Sequence, residues 1–230
     1  MKAAIIQSSY LPWKGYFDII HDVDIFIFLD NVAYTKRDWR TRNYIKRNDG
    51  QKVLLTVPVE KESSRGKIED VVISPSEWQA SHLGNFLTHY ARAPHFRTIR
   101  PLLEDFYIEN QWRKLSEMNQ YMIRRIAEYL GISTYFENAS RISCLGEKTE
   151  RLISLLKQVG ANEYLTGPSA RNYIDERLFV EAGIQLQFKQ YDDYPVYQQL
   201  SEPFTHEVSI LDLLLNVGDR APSYIWGFRQ

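Results

Sequence analysis

A run of continuous apolar character, DIFIFLD at residues 24–30, follows a first short apolar run, KAAII at residues 2–6. Unbroken apolar strands are typical of parallel sheets, whose two faces are both covered by helices. Between the two runs, the segment YLPWKGYFDIIHDV turns and then places Tyr16, Phe17 and Ile20 on one inward helix face. A strand, a helix and a strand within about 30 residues predict a βαβ unit.

The same rhythm returns in the second half of the chain. Strand-like and helix-like segments alternate there in the order STYFEN, EKTERLISLLKQVG, NEYLTG, ARNYIDERLFVEAG and IQLQFKQYD, before a closing helix, SILDLLLNVG. Alternation at this spacing predicts parallel strands joined by right-handed crossovers. The fold class is therefore α/β, with a mostly parallel sheet and flanking helices.

Two segments depart from this rhythm. RNYIK and KVLLTVPV flank an Asp-Gly turn, which predicts a β-hairpin near residues 41–58, and KIEDVVIS predicts one more short strand. Residues 75–130 look helical, and their clearest helix is WRKLSEMNQYMIRRIAEYLG, with Gly131 placed to end it. We expect one domain over residues 1–230, in which residues 75–130 form a helical subdomain or cap.

Composition excludes several classes of protein. The formal net charge is −1, which argues against a protein that coats DNA or RNA. The single cysteine, Cys144, rules out a disulfide framework within the chain and favours the reducing cytoplasm. The opening residues do not resemble a signal peptide, and the apolar runs are far shorter than the roughly 20 residues of a membrane span. The oligomeric state stays open.

One stretch concentrates positive charge. Residues 36–47, KRDWRTRNYIKR, carry six basic side chains and one acid, and therefore +5 of charge. One interpretation is a solvated edge strand that charge protects against pairing. The other is a pocket for a pyrophosphate, in which arginines clamp the anion and Trp39 or Tyr44 stacks on a ring. Strand alternation would place Arg42 and Lys46 on the same face.

A second candidate anion site lies at YLTGPSARNYI, where a predicted strand passes through Gly167 and Ser169 into a predicted helix. Backbone N–H groups at a helix start are free to bind an anion, although Ser169 could equally be a plain N-cap. Arg171 and Tyr173 lie in the first turn. A cation there opposes the helix dipole, which is easier to understand if it holds an anion.

Signatures of metal and cofactor sites do not occur. The five histidines form no close pair, and no Cys/His pattern of a zinc site is present. The chain also has no Walker loop, no G-x-G-x-x-G and no G-x-S-x-G elbow. We therefore predict neither a metal nor a cofactor. Asp30 ends an apolar strand, where side chains of open α/β sheets point into the ligand crevice.

Several motifs together resemble the WbqC-like family of bacterial proteins, which are encoded among genes for surface-polysaccharide biosynthesis. They are QSSYLPWKGYFDII, WRTRNYIK, the VPV after it, YLTGPSARNYI and YPVYQQLSEPFTHEVSILDLLLNVG, in matching order along almost the whole chain. The family opening is roughly H-Q-P-x-Y-x-P-W-x-G-Y. Here Ile6 replaces the histidine and Ser8 the following proline, so position 6 cannot supply a catalytic base.

The resemblance implies a glycine or aminoacyl transferase that modifies the amino group of an amino sugar for an O-antigen-type glycan. The partners would be a nucleotide-linked amino sugar and an activated glycine or aminoacyl donor, for which glycyl-tRNA, a thioester on a carrier protein and an adenylate are all open. The sequence fixes neither the donor nor the acceptor sugar.

Sixteen residues are candidates for this site. Asp30 is the candidate anchor or base, and Gln7 and Asn43 are candidate orienting donors. Asp212 could equally be a structural hydrogen-bond partner in its apolar helix. The remaining substrate-binding candidates are Tyr10, Trp13, Lys14, Trp39, Arg42, Lys46, Gly167, Ser169, Arg171, Tyr173, Tyr197 and Gln198.

Two other functions remain open. One is an adenylate-forming nucleotidyltransferase of the HIGH type, although the paired H-x-G-H histidines of that class are missing. The other is a non-catalytic subunit that binds a sugar nucleotide within a glycan assembly complex, since no undisputed catalytic residue stands out.

Overall fold

The computed structural model describes residues 1–229 and has the predicted α/β fold. The strands are β1 (Lys2–Ile6), β2 (Ile25–Phe28), β3 (Arg42–Lys46), β4 (Lys52–Thr56), β5 (Tyr135–Asn138), β6 (Glu163–Thr166) and β7 (Gln185–Phe188). The helices are α1 (Lys14–His21), α2 (Trp78–Tyr90), α3 (Phe96–Glu104), α4 (Leu115–Tyr129), α5 (Lys148–Gln158), α6 (Glu176–Glu181) and α7 (Ile210–Val217).

Five strands form one parallel sheet in the order β5-β2-β1-β6-β7. From β1 the chain proceeds outward to β2 and β5, and it then crosses back to β6 and proceeds outward to β7. The direction of winding thus reverses between β1 and β6. In open α/β sheets, ligands bind outside the carboxyl ends of the strands at such a switch point.

Two apolar clusters cover the two faces of this sheet. One cluster joins α1, α4 and α7 to Phe26 and Phe28 of β2. The other joins α5 and α6 to Ile25 and Ile27 of the same strand. Since alternate side chains of a strand point to opposite faces, β2 has to be apolar at every position, which explains the unbroken run in the sequence.

The predicted hairpin is confirmed as the antiparallel pair β3–β4, with Arg42 opposite Thr56 and Lys46 opposite Lys52. Its turn contains Gly50 at φ +87°, a left-handed conformation that glycine adopts without steric cost. The backbone N–H of Gln51 donates to the Asp49 carboxylate at 3.1 Å, which closes the turn.

The predicted helical stretch contains α2, α3 and α4, with a π-helical turn at Asp105–Glu109. Met118, Met122 and Ile126 of α4 lie in the same cluster as Phe17 of α1. In the described part of the chain, residues 1–229, no helix combines the length and apolar character needed to cross a bilayer.

Two predicted elements were wrong. The strand expected at KIEDVVIS is a 3-10 turn at Ile68–Asp70 followed by isolated bridges, because no continuous partner strand lies beside it. The helix expected from residue 170 is instead a 3-10 turn, Pro168–Asn172, and a short α6. The α-helix starts later because the Asp175 side chain accepts the Arg177 N–H at 3.1 Å and caps it there.

Candidate functional site

A cleft of about 860 Å³ opens at the switch point of the sheet. Ladder pairing between β1 and β6 ends at Ala3 and Tyr164, whereas β1 stays paired with β2 as far as Ile6. Strands β1 and β6 therefore separate toward their carboxyl ends. Gln7, which follows β1, and Thr166, at the end of β6, line the resulting gap.

The inner wall of the cleft is aromatic. The rings of Trp13 and Tyr191 meet edge to face with centroids 4.9 Å apart, and Tyr16 also lines the cleft. Gly15 makes this arrangement possible, because a Cβ at that position would lie 2.3 Å from a ring atom of Trp13. The spacing W-x-G in the sequence thus lets the indole fold over the first turn of α1.

Arg40 is the one cation among the lining side chains within residues 1–229. Its side chain is only 12% exposed, and its guanidinium donates to the Gln7 side-chain oxygen and lies 3.7 Å from the Asp38 carboxylate. Its Nε is buried, and no residue from 1 to 229 accepts its hydrogen. A buried donor without a partner carries a free-energy cost.

The backbone around Arg40 is fixed from two sides. The Asn119 side chain on α4 donates to the Arg40 carbonyl at 2.8 Å. The Tyr10 N–H in the β1–α1 loop donates to the Trp39 carbonyl at 2.9 Å. The guanidinium is consequently held in place before any ligand binds, which reduces the entropy lost on binding.

Tyr173 stands on the β6 side of the cleft and is 66% exposed. Partial burial raises the pKa of its hydroxyl, and the positive charge of Arg40 partly opposes that shift. The phenol and the guanidinium thus line the same cleft, and both are hydrogen-bond donors.

The structure brings both candidate anion segments to this one cleft. Of the sixteen candidate residues, seven line it: Gln7, Trp13, Trp39, Asn43, Gly167, Ser169 and Tyr173. Sequence reasoning missed Arg40, Tyr16 and Tyr191. Arg40 precedes the strand whose alternation directed attention to Arg42, so no periodic signal singled it out. Its position beside Trp39 within WRTRNYIK is the signal that could have found it.

Asn43 lies at the cleft wall but is committed to holding the backbone. Its amide donates to the Leu11 carbonyl at 2.7 Å, and its side-chain oxygen accepts the Tyr44 N–H at 2.8 Å. This pair of bonds fixes the β1–α1 loop, at Leu11 with φ +42°, against strand β3.

Asp30 lies outside the cleft lining, and its carboxylate is almost fully buried. One oxygen accepts the Ser8 N–H at 2.8 Å, and the other accepts the Ser116 hydroxyl and the Gln120 amide. The carboxylate joins the end of β2 to the β1–α1 loop and to α4. Its contacts are those of an anchor.

Lys14 points away from the cleft into an aromatic cage. Its ammonium donates to the Tyr224 carbonyl at 3.1 Å and lies 4.4 Å from the Tyr194 ring centroid, with the Tyr197 ring next to it. Burial lowers the pKa of Lys14 to about 8, against the opposing charge of Asp18. A phosphate bound in the cleft does not meet this group.

Lys46 and Asp212 belong to one buried polar network, and neither lines the cleft. The Lys46 ammonium donates to the Gln199 side chain and to the Ser201 and Pro203 carbonyls. The Asp212 carboxylate accepts from the side chains of Tyr90, Tyr197 and Gln199, all at 2.7 Å. Burial raises the pKa of Asp212, and these donors and Lys46 oppose the shift.

Three further candidates do not reach the cleft. Arg42 is half-buried, although its Nε also lacks an acceptor within residues 1–229. The Arg171 guanidinium is 3.8 Å from the Phe188 ring centroid and 3.8 Å from Glu176. Gln198 points to solvent, while its neighbour Gln199 makes the buried contacts.

Tyr10 is fully buried behind the cleft. Its hydroxyl bonds to Tyr107 and, at 2.7 Å, to Nδ1 of His82. Burial lowers the pKa of His82 to about 4, and a hydrogen bond with the Thr56 backbone partly opposes this shift. The imidazole is therefore neutral near pH 7, and the Tyr10–His82 pair ties the β1–α1 loop to α2.

Comparison with known proteins gives two matches. A model of the WbqC-like protein family matches residues 7–224. The protein is also 45% identical, over 230 residues, to the uncharacterized protein Rv1507c of Mycobacterium tuberculosis, with 100% of this chain and 99% of that protein aligned. No solved structure matches.

Proposed function

The chain belongs to the WbqC-like protein family, and from that premise we propose that it transfers glycine, or another aminoacyl group, to the amino group of a nucleotide-linked sugar used in surface-polysaccharide biosynthesis. The observation that carries the proposal is the cleft at the switch point, where the guanidinium of Arg40 lies among aromatic rings.

The cleft suits the acceptor. Its volume of about 860 Å³ lies within the range of small-molecule sites. A planar guanidinium can bind a diphosphate through two parallel hydrogen bonds. The rings of Trp13 and Tyr191 offer an apolar wall of the kind on which sugars pack, and Ser169 adds a hydroxyl.

Aminoacyl transfer from an activated donor requires little acid–base catalysis by the protein. The lone pair of the sugar amine attacks the activated carbonyl, a C–N bond forms, and the bond to the leaving group breaks while the amine proton leaves with that group or with water. Holding the amine and the carbonyl in contact can itself supply several kcal/mol of the barrier, of the order of 7–11 in the best cases. The Arg40 and Tyr173 donors would anchor the acceptor for this step.

One observation favours a second function, that of a non-catalytic subunit that binds a sugar nucleotide. Within residues 1–229, the lining includes no histidine and one carboxylate, Glu207. That carboxylate is exposed and bonded to Lys52 at 2.7 Å. A binding subunit would need the anion site and the rings, but no acid or base.

A product assay separates these functions. The protein is incubated with amino-sugar nucleotides and with glycine supplied as a thioester, as glycyl-tRNA or as an adenylate, and mass spectrometry follows the sugar. A glycyl mass increment that Arg40→Ala abolishes and Arg171→Ala preserves supports the transferase. Binding without any turnover favours the subunit. Release of pyrophosphate from ATP in place of acyl transfer would indicate an adenylate-forming enzyme.

A further inference from the structure

We propose that the mouth of the cleft is a nucleoside subsite, in which the base of a nucleoside diphosphate stacks on the indole of Trp39 while Arg40 binds the diphosphate. The inference rests on the proposed function for the identity of the attached sugar, but the subsite itself can be tested without any acyl transfer.

Trp39 and Tyr173 are the two strongly exposed aromatic residues of the cleft, at 49% and 66%, and Trp39 is the one next to Arg40 in the chain. The exposure of Trp39 does not result from a flexible backbone. The Trp39 N–H donates to the Asp38 carboxylate at 2.6 Å, and the Trp39 carbonyl accepts from Tyr10 at 2.9 Å. The backbone that carries this large apolar ring is therefore fixed, while about half of the residue stays exposed to solvent.

The neighbouring ring, Tyr44, forms a corner with Trp39. The two ring centroids are 6.3 Å apart, and the planes meet at 63°. The ammonium of Lys52 lies 5.0 Å from the Tyr44 centroid, and Glu207 holds that ammonium at 2.7 Å. Because Lys52 occupies a face of Tyr44, the indole of Trp39 is the open platform of the corner.

The exposures of the groups that line the cleft fit a nucleotide sugar whose base is its outermost part. Trp39 is at the exposed rim, and its chain neighbour Arg40 is 12% exposed and bonded to Gln7 at the end of β1. Trp13 and Tyr191 contact each other, line the same cleft and are less exposed than Trp39. A nucleotide sugar that enters the cleft with its sugar first would place its base on Trp39, its diphosphate at Arg40 and its sugar against Trp13 and Tyr191.

Stacking of this kind tolerates different bases. Every nucleobase has a π-face, and stacking on an aromatic ring does not read the hydrogen-bonding edge. The predicted ligand class is therefore nucleoside diphosphates and their sugar esters, with both pyrimidine and purine forms accepted.

The test is titration calorimetry with three probes: UDP, ADP and inorganic pyrophosphate. We expect the unmodified protein to bind UDP and ADP at least tenfold more tightly than pyrophosphate. Trp39→Leu should weaken both nucleotides about 30-fold and leave pyrophosphate unchanged, since a base–ring stack contributes to that extent. Arg40→Ala should weaken all three. Tyr135→Leu, which removes an exposed ring on the edge strand β5, should change none.

Two results would overturn the subsite: equal affinities for the nucleotides and for pyrophosphate, or UDP and ADP affinities that Trp39→Leu leaves unaltered. Both are independent of the transferase proposal. Loss of glycyl transfer with these affinities intact would refute the transferase alone, and normal transfer with no effect at Trp39 would refute the subsite alone.

Discussion

The substitution Asp30→Asn distinguishes an anchor from a catalytic base. In the structure the Asp30 carboxylate accepts from the Ser8 N–H, the Ser116 hydroxyl and the Gln120 amide. An asparagine in the same place can still accept from Ser8 through its oxygen. Its NH₂ group, however, would face the hydroxyl and the amide that now donate to the second carboxylate oxygen.

The expected loss of stability follows from these contacts. A hydrogen bond to a charged group contributes about 1.5–3 kcal/mol, and a buried donor left without an acceptor costs about 1–3 kcal/mol. Allowing Gln120 to turn its amide around, we expect Asp30→Asn to destabilise the fold by about 2 kcal/mol. Asp30→Ala leaves the Ser8 N–H and the Ser116 hydroxyl without an acceptor, while the Gln120 amide keeps its 3.0 Å bond to Ser116. We expect this variant to lose about 4 kcal/mol.

Urea unfolding measures the effect. With a slope near 2 kcal/mol per M, typical of denaturation by urea, Asp30→Asn should lower the midpoint by about 1 M without changing the slope. Asp24→Asn is the matched control, since Asp24 lies at the other end of β2, is exposed and accepts a single backbone N–H from Lys2 at 2.7 Å. It should shift the midpoint much less.

The result that would refute this reasoning is an Asp30→Asn protein with an unchanged midpoint and no glycyl transfer. Such a protein would show that the carboxylate acts on a substrate proton and that its three internal contacts are incidental. A variant that is less stable but still transfers glycine, assayed well below its unfolding temperature, supports the anchor.

Three other predictions concern binding, pH and the hairpin. Arg40→Ala should weaken nucleotide-sugar binding by about 2 kcal/mol, or about 30-fold, in calorimetry, whereas Arg42→Ala should change it less than threefold; the opposite ranking would remove Arg40 from the ligand. Because the pKa of His82 is lowered to about 4 in the fold from about 6.5 when unfolded, the unfolded chain binds more protons between these pH values. His82 should therefore account for a fall of about 3 kcal/mol in the free energy of unfolding on acidification from pH 6.5 to 4, beside a similar contribution from His206, whose pKa burial also lowers to about 4. A His82→Gln variant whose free energy of unfolding falls just as steeply would contradict this assignment. Gly50→Ala should lower the melting temperature clearly, since φ is +87° and the new Cβ would lie 2.0 Å from the Glu202 carbonyl oxygen; an unchanged melting temperature would mean that this loop adjusts freely.

Local sequence patterns predicted most of the secondary structure for a definite physical reason. A strand buried on both faces has to be apolar throughout, as β2 is, and the Asp-Gly pair specifies a tight turn whatever surrounds it. The errors fell where a partner decides the outcome. KIEDVVIS has the composition of a strand, yet without a continuous neighbour it forms a 3-10 turn, and Asp175 caps a helix that the pattern alone would begin earlier.

The same contrast between local sequence patterns and distant tertiary partners holds for the candidate site. The two segments that carry Trp39 and Gly167 were both candidates from the sequence, and they meet at one cleft because the strands before them, β2 and β6, flank β1 at the switch point. The sequence could not predict which of the basic side chains faces the cleft. Arg40 and Arg42 are two residues apart and chemically identical, and only the positions of Gln7 and Asn119 settle that Arg40 lines the cleft.

The sequence by itself determined the α/β order of elements, the hairpin and the two segments that border the cleft, because these depend on periodicity and turn chemistry within about ten residues. Only the tertiary structure decided that Asp30, Lys46 and Asp212 are held by internal partners, while Arg40 keeps a buried donor free. The physical reason is that the hydrogen-bond and ion-pair partners of a charged group decide whether it holds the fold together or can bind a ligand. In these cases some of the partners lie more than 80 positions away along the chain, as Ser116 does from Asp30.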